Sequence, residues 1–131
     1  MKRLHVHVTV EDIEKGISFY NTLFAQDANV VKDDYAKWML DDPAVNFAIS
    51  EKCGKVGLNH LGFQVDSDEE LKEIEERLLD AELSGHKEEN RDCCYAKANK
   101  YWTMDPAKIP WENFHTLDSI PTFGDRDEPA L

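Results

Sequence analysis

The sequence predicts an α+β fold, a single cupped mixed sheet built from two copies of one strand–helix–strands unit around a cleft. Three observations predict it. A strand that alternates apolar and polar residues and carries histidine opens the chain and returns 55 residues later. Each copy of that strand runs into an amphipathic helix. Between the copies lies a polar stretch, Glu51–Gly57, with glycines at 54 and 57. A repeat of this kind fixes the architecture before any motif does.

The first strand is Leu4–Val10, Leu-His-Val-His-Val-Thr-Val. Its period of two puts Val6, Val8 and Val10 on one face and His5, His7 and Thr9 on the other. Glu11 and Asp12 then open a helix, with acids where its first turn favours them. Ile13, Ile17, Tyr20 and Phe24 form its apolar stripe, and Gly16 within it marks close packing. Two strands follow, Asp33–Leu40 and Ala44–Ser50, around the turn Asp41-Asp42-Pro43. The pattern restarts at Asn59–Val65, where Leu61, Phe63 and Val65 face one way and His60, Gly62 and Gln64 the other. Ser67 with Glu70 is a capping signature for a second helix, whose stripe is Leu71, Ile74, Leu78 and Ala81. Short strands are expected at Cys93–Ala98 and Lys100–Met104, then a turn at Asp105–Pro110 and a last strand at Trp111–Thr116. The chain thus reads as one domain over 1–131, with module one about 1–55, module two about 57–118, and an irregular tail from about 119. The helices would cover the valine faces, leaving the histidine faces to line the cleft.

At 131 residues the chain is long enough for one proper core. Its net charge of −12, from 27 acidic against 15 basic residues, repels nucleic acid and anionic membranes, so neither is an expected partner. No apolar run approaches the roughly 20 residues of a spanning helix. The opening Met1–Leu4 leads straight into a strand without a signal-peptide core, so a reduced cytoplasmic setting is expected. Cys93 and Cys94 are neighbours in the sequence, and a disulfide between neighbours closes a strained ring. Two thiols side by side are instead a chelate for a soft metal or metalloid, while Cys53 in the polar linker reads as a bystander.

A buried strand face bearing His5, His7 and Thr9 is costly unless those groups are used, and the same holds for His60 and Gln64. Glu112 shares a face with Phe114 on the last strand. Two histidines and a carboxylate around a cleft are the donor set of non-haem Fe(II) sites with open positions. His5 and His60 are 55 positions apart and His60 and Glu112 are 52, so each comes from an equivalent part of the repeat. A lone histidine on a strand is ordinarily just a hydrogen-bonded or exposed residue, and it is the repeat that singles out His5 and His60. By periodicity alone His7 competes with His5. His115, on the face opposite Glu112, and His86, in an expected loop, read as surface residues.

The opening His-Val-His-Val-Thr-Val-Glu-Asp-Ile-Glu-Lys-Gly-Ile-Ser-Phe-Tyr, the restart Leu-Asn-His-Leu-Gly-Phe-Gln-Val and the close Asp-Pro-Ala-Lys-Ile-Pro-Trp-Glu-Asn-Phe-His-Thr resemble the vicinal oxygen chelate superfamily of glyoxalases, bleomycin-resistance proteins and extradiol dioxygenases. The resemblance implies paired βαβββ modules around a divalent metal. In that family the first ligand stands seven residues before the Asp that opens the first helix, which gives His5 rather than His7. The second is the His of the second module's first strand, here His60, and the third the Glu of the final strand, here Glu112. The pair Cys93-Cys94 followed by Tyr95-Ala96 narrows the resemblance to the subfamily of the cadmium-induced protein CadI and the organoarsenical carbon–arsenic lyases.

That resemblance implies Fe(II), or another divalent metal, at His5, His60 and Glu112, with Cys93 and Cys94 holding the arsenic of a trivalent organoarsenical. The implied reaction is oxygen-dependent cleavage of the carbon–arsenic bond, with no catalytic side chain beyond the metal ligands. The alternatives are sequestration of cadmium or another soft metal, and another glyoxalase or extradiol chemistry. A homodimer is the partner implied besides the small molecule. Three departures are visible, of which Asp105-Pro106-Ala107-Lys108 in place of the more usual Asp-Pro-Asp-Gly turn is a conservative loop change. The first ligand is often Gln in the subfamily, where this chain has His5. The strand Val45–Ile49 lacks the carboxylate that glyoxalases use as a fourth ligand, which counts against base chemistry of that kind.

Overall fold

The computed structural model describes residues 1–52, 54–93 and 95–119. Cys53, Cys94 and the predicted tail from 120 onward lie outside the described residues.

The elements run β1 (Arg3–Thr9), α1 (Ile13–Phe24), β2 (Val30–Lys32), β3 (Tyr35–Asp41), β4 (Ala44–Ser50), then β5 (Gly57–Gln64), α2 (Asp68–Asp80), β6 (Gly85–Cys93), β7 (Ala96–Met104) and β8 (Pro110–Ser119). The order strand, helix, three strands therefore occurs twice. All eight strands form one mixed sheet in the order β2-β3-β4-β1-β5-β8-β7-β6. Each opening strand pairs in parallel with the last strand of its own half, β1 with β4 and β5 with β8. The halves join where β1 and β5 run antiparallel, with His7 level with His60 and His5 level with Gly62.

Both helices start where their caps dictate. The Asp12 carboxylate accepts the Lys15 amide at 3.2 Å, and the Ser67 hydroxyl accepts the Glu70 amide at 3.2 Å. The Glu70 carboxylate returns the contact one residue earlier than a standard capping box, to the Asp66 amide at 2.9 Å. The predicted stripe of α1 packs on the outer face of its sheet half, where Ile13 joins Ala36, Trp38 and Ile49, with Val8, Val10, Ile17, Tyr20 and Phe24 against them. Gly16 does mark a close approach: a Cβ there would stand 2.8 Å from Ile49 Cδ1. Beneath α2, Leu71, Ile74 and Leu78 pack on Val65 and Tyr101, while Ala81 caps the helix and is exposed. Among the described residues no helix is long and apolar enough to cross a membrane.

Two local expectations fail. The strand predicted from Asp33 starts at Tyr35, because Asp33 and Asp34 form the turn after the short strand β2. The second half has two long strands rather than two short ones: β6 is the polar run ending at Cys93, and β7 continues unbroken through Asn99. An edge strand reading Gly-His-Lys-Glu-Glu-Asn-Arg-Asp-Cys buries little on either face and so lacks an apolar alternation.

Candidate metal centre

The three neighbouring strands β1, β5 and β8 bring His5, His60 and Glu112 to one point on the inner face of the sheet. The pairings explain how. His5 is level with Gly62 of β5, and Gly62 is level with Glu112 of β8, so His5 and Glu112 flank a residue with no side chain. His5 Nε2 and His60 Nε2 are 3.0 Å apart, and Glu112 Oε1 lies 3.5 Å from each. All three residues are at most 5% exposed.

The outer ring nitrogens fix the tautomers. His5 Nδ1 lies 3.1 Å from the Asn46 carbonyl oxygen and 3.2 Å from Asn46 Oδ1, both acceptors. His60 Nδ1 lies 2.6 Å from Asn59 Oδ1. These partners assign the proton of each neutral ring to Nδ1 and aim the Nε2 lone pair inward. Two lone pairs and a carboxylate oxygen at these separations repel one another unless a cation lies among them. Donors about 2.1 Å from one ion in adjacent positions would stand about 3 Å apart, so the set fits a divalent metal by both chemistry and spacing.

His7 is the rival. His5, His7 and His60 also present ring nitrogens all within 4.8 Å of one another. That trio is looser, and His7 Nε2 is engaged by Ser50 Oγ at 2.8 Å. The Glu112 trio is the better-formed one. His115 pairs with Asp68 on the outer face at 2.9 Å. His86 is on the edge strand β6 rather than in a loop, partly exposed and 3.8 Å from Glu88.

Glu112 has a partner that the sequence reading missed. Lys100 of β7, 6% exposed, places its Nζ 2.6 Å from Glu112 Oε2. The signal was there: Ala96, Ala98, Lys100 and Trp102 alternate along one strand, but that strand was expected to break near Asn99.

His5, Lys100, Glu112 and Phe114 line a cavity of about 40 Å³ that Cys93 also lines. Cys93 is a buried cysteine at the end of β6 that is not in a disulfide; Cys94 is outside the described residues. Tyr95 then turns the chain with φ of 63°, and its hydroxyl donates to Asp34 Oδ1 at 2.5 Å in the β2–β3 turn of the other half. Burial pushes the Asp34 carboxyl up, but hydrogen bonds from Lys52 and Tyr95 and the Lys52 charge outweigh it and hold it below the ordinary carboxylate value. The larger hollow of about 970 Å³ beside the start of α1 is lined by Glu11, Asp12, Glu14, Asp33 and Glu51 and contains none of these ligand candidates.

No family model matches the chain. It is 39% identical over 123 residues to the trivalent organoarsenical cleaving enzyme of Bacillus sp. (strain MD1), covering 92% of this chain and 76% of that one. It is 34% identical over 125 residues to the cadmium-induced protein CadI of Mycobacterium tuberculosis, covering 95% and 82%. Among solved structures, the 2,3-dioxygenase LapB from Pseudomonas sp. KL28 superposes with a TM-score of 0.68 at 18% identity, over 98% of this chain and 45% of that one. At that identity the likeness is one of fold.

Proposed function

The chain belongs to the family of trivalent organoarsenical cleaving enzymes and cadmium-induced CadI proteins on the vicinal oxygen chelate fold, and from that membership we propose that it cleaves the carbon–arsenic bond of trivalent organoarsenicals with dioxygen. The observation that carries this reading is that the Cys93 thiol lines the same cavity as His5 and Glu112. At its wall His5 and Glu112, together with His60 beside them, would hold Fe(II), which would supply the oxygen chemistry that two imidazoles and a carboxylate support. Trivalent arsenic is soft and takes thiolates, so Cys93 and Cys94 bind the substrate while the harder nitrogen and oxygen donors keep the metal. This division holds the carbon–arsenic bond beside the metal, and positioning of that kind supplies a large part of a rate enhancement. For the smallest substrate the balance closes: methylarsonous acid and one dioxygen give formaldehyde and arsenous acid. At about 40 Å³ the cavity has room for about one water, so the smallest arsenicals enter it with least displacement of its walls. A reducing cytoplasm keeps the thiols competent.

The test is anaerobic loading with Fe(II), then air and a trivalent methyl- or arylarsenical, with inorganic arsenite as the readout. Arsenite release that needs both metal and oxygen supports the reading. Retention of the arsenical unchanged sinks it in favour of soft-metal sequestration, which uses the same thiols without oxygen.

A further inference from the structure

We propose that Lys100 is a positioning residue that confines Glu112 to a single ligating oxygen, and so keeps one more coordination position open towards the cavity. The inference rests on the reading of His5, His60 and Glu112 as metal ligands. The two oxygens of Glu112 have separate partners. Oε1 stands 3.5 Å from both inward imidazole nitrogens, and Oε2 is 2.6 Å from Lys100 Nζ. A carboxylate left to itself can close on an ion through one oxygen or both. Here the second oxygen is already taken by a charged donor at short range, the stronger kind of hydrogen bond.

The location makes the hold firm. Lys100 and Glu112 sit on adjacent antiparallel strands, with Trp102 level with Glu112 and the Lys100 ammonium 5.8 Å from the Trp102 ring centroid. Lysine is almost never found this buried without a partner, and the cost of stripping water from its charge is offset here by Glu112. Lys100 also lines the cavity that Cys93, His5 and Glu112 line.

The experiment counts water molecules on a bound probe ion. Mn(II) is added to the intact protein, and the relaxation of solvent protons reports the exchangeable waters on it. The wild-type ion should carry three, since three protein atoms fill half of an octahedron. In Lys100→Met the freed oxygen should close on the ion and displace one, lowering the inner-sphere relaxation by about a third. Lys100→Gln still donates a hydrogen bond to Oε2 and should keep the wild-type count. Lys100→Leu stands in should Lys100→Met not fold. An unchanged water count in folded Lys100→Met or Lys100→Leu overturns the proposal, as does loss of Mn(II) binding in either. A Lys100→Gln count that falls as far as that of Lys100→Met also overturns it, because charge rather than the hydrogen bond would then be responsible. Failure of the metal-site reading looks different: the wild-type protein itself would not hold Mn(II). Failure of the lyase reading leaves these counts untouched.

Discussion

Gly62 of β5 lies level with Glu112 of β8, and a Cβ added to Gly62 would fall 1.6 Å from the Glu112 carbonyl oxygen. That contact is with backbone, so no side chain can swing aside to relieve it. Gly62→Ala should push β8 away from β5 and destabilise the protein by about 3 kcal/mol, the upper end of ordinary overpacking costs. A thermal melt with and without metal checks this. A melting temperature equal to wild type would mean the two strands are not so closely apposed.

His5→Ala, His60→Ala and Glu112→Ala should each lose most of their metal affinity, while His7→Ala and His115→Ala should keep it. The inward lone pairs of His5 and His60 and the position of Glu112 Oε1 motivate the first three. The engagement of His7 by Ser50 and of His115 by Asp68 motivates the other two. Titration of the five variants with Fe(II) or Co(II) decides it. Loss in His7→Ala with retention in Glu112→Ala would move the site to the three-histidine cluster.

Cys93→Ser and Cys94→Ser should keep their metal and lose arsenical affinity and turnover, with Cys53→Ser close to neutral. Removing sulfur takes away the soft donor and leaves the hard set intact. Arsenite release at the wild-type rate from both vicinal-thiol variants would end the lyase assignment.

Tyr95→Phe should weaken arsenical binding by about 1 kcal/mol, the scale of one hydrogen bond, and leave metal affinity unchanged. Its hydroxyl ties the turn after Cys93 to Asp34 across the cleft. Because the Asp34 carboxyl is held below its ordinary value, its contribution to stability is complete above the unfolded carboxylate range. That contribution is lost as pH falls through the lowered native value. Asp34→Asn should therefore flatten the acid limb of the stability profile measured by denaturant melts between pH 6 and about 2. An acid limb as steep as wild type would assign the loss to other carboxylates.

Much of this was legible before any coordinates. The alternation in β1 and β5 is clear because one face of each is buried in the cleft, where the histidines fall. The expected cover of the opposite face by helices is incomplete: Leu4, Leu58 and Phe63 there are exposed, since the helices sit mainly over β3, β4 and β6 to β8. Lys100 was legible only in part: the alternation Ala96, Ala98, Lys100, Trp102 places it on the cleft face, but a charged residue next to Asn99 reads as a strand end unless its burial against Glu112 is known. The β6–β7 turn was misplaced for a related reason. It is made at Tyr95 with a positive φ but without the glycine or proline that ordinarily marks such a turn. What stabilises it is Asp34, 61 positions away, a contact that no local pattern encodes.

The seam between β1 and β5, with β8 added on the far side of β5, bears on how the protein is made. A ribosome delivers His5 early and His60 midway, but Glu112, Lys100 and Cys93 emerge only with the final strands. At roughly 5–20 residues per second, the nascent chain spends several seconds with two imidazoles and no carboxylate to complete the set. If His5, His60 and Glu112 are the ligand set, as proposed, tight metal capture is deferred until β8 has docked, and holding the ion would report that the sheet is complete.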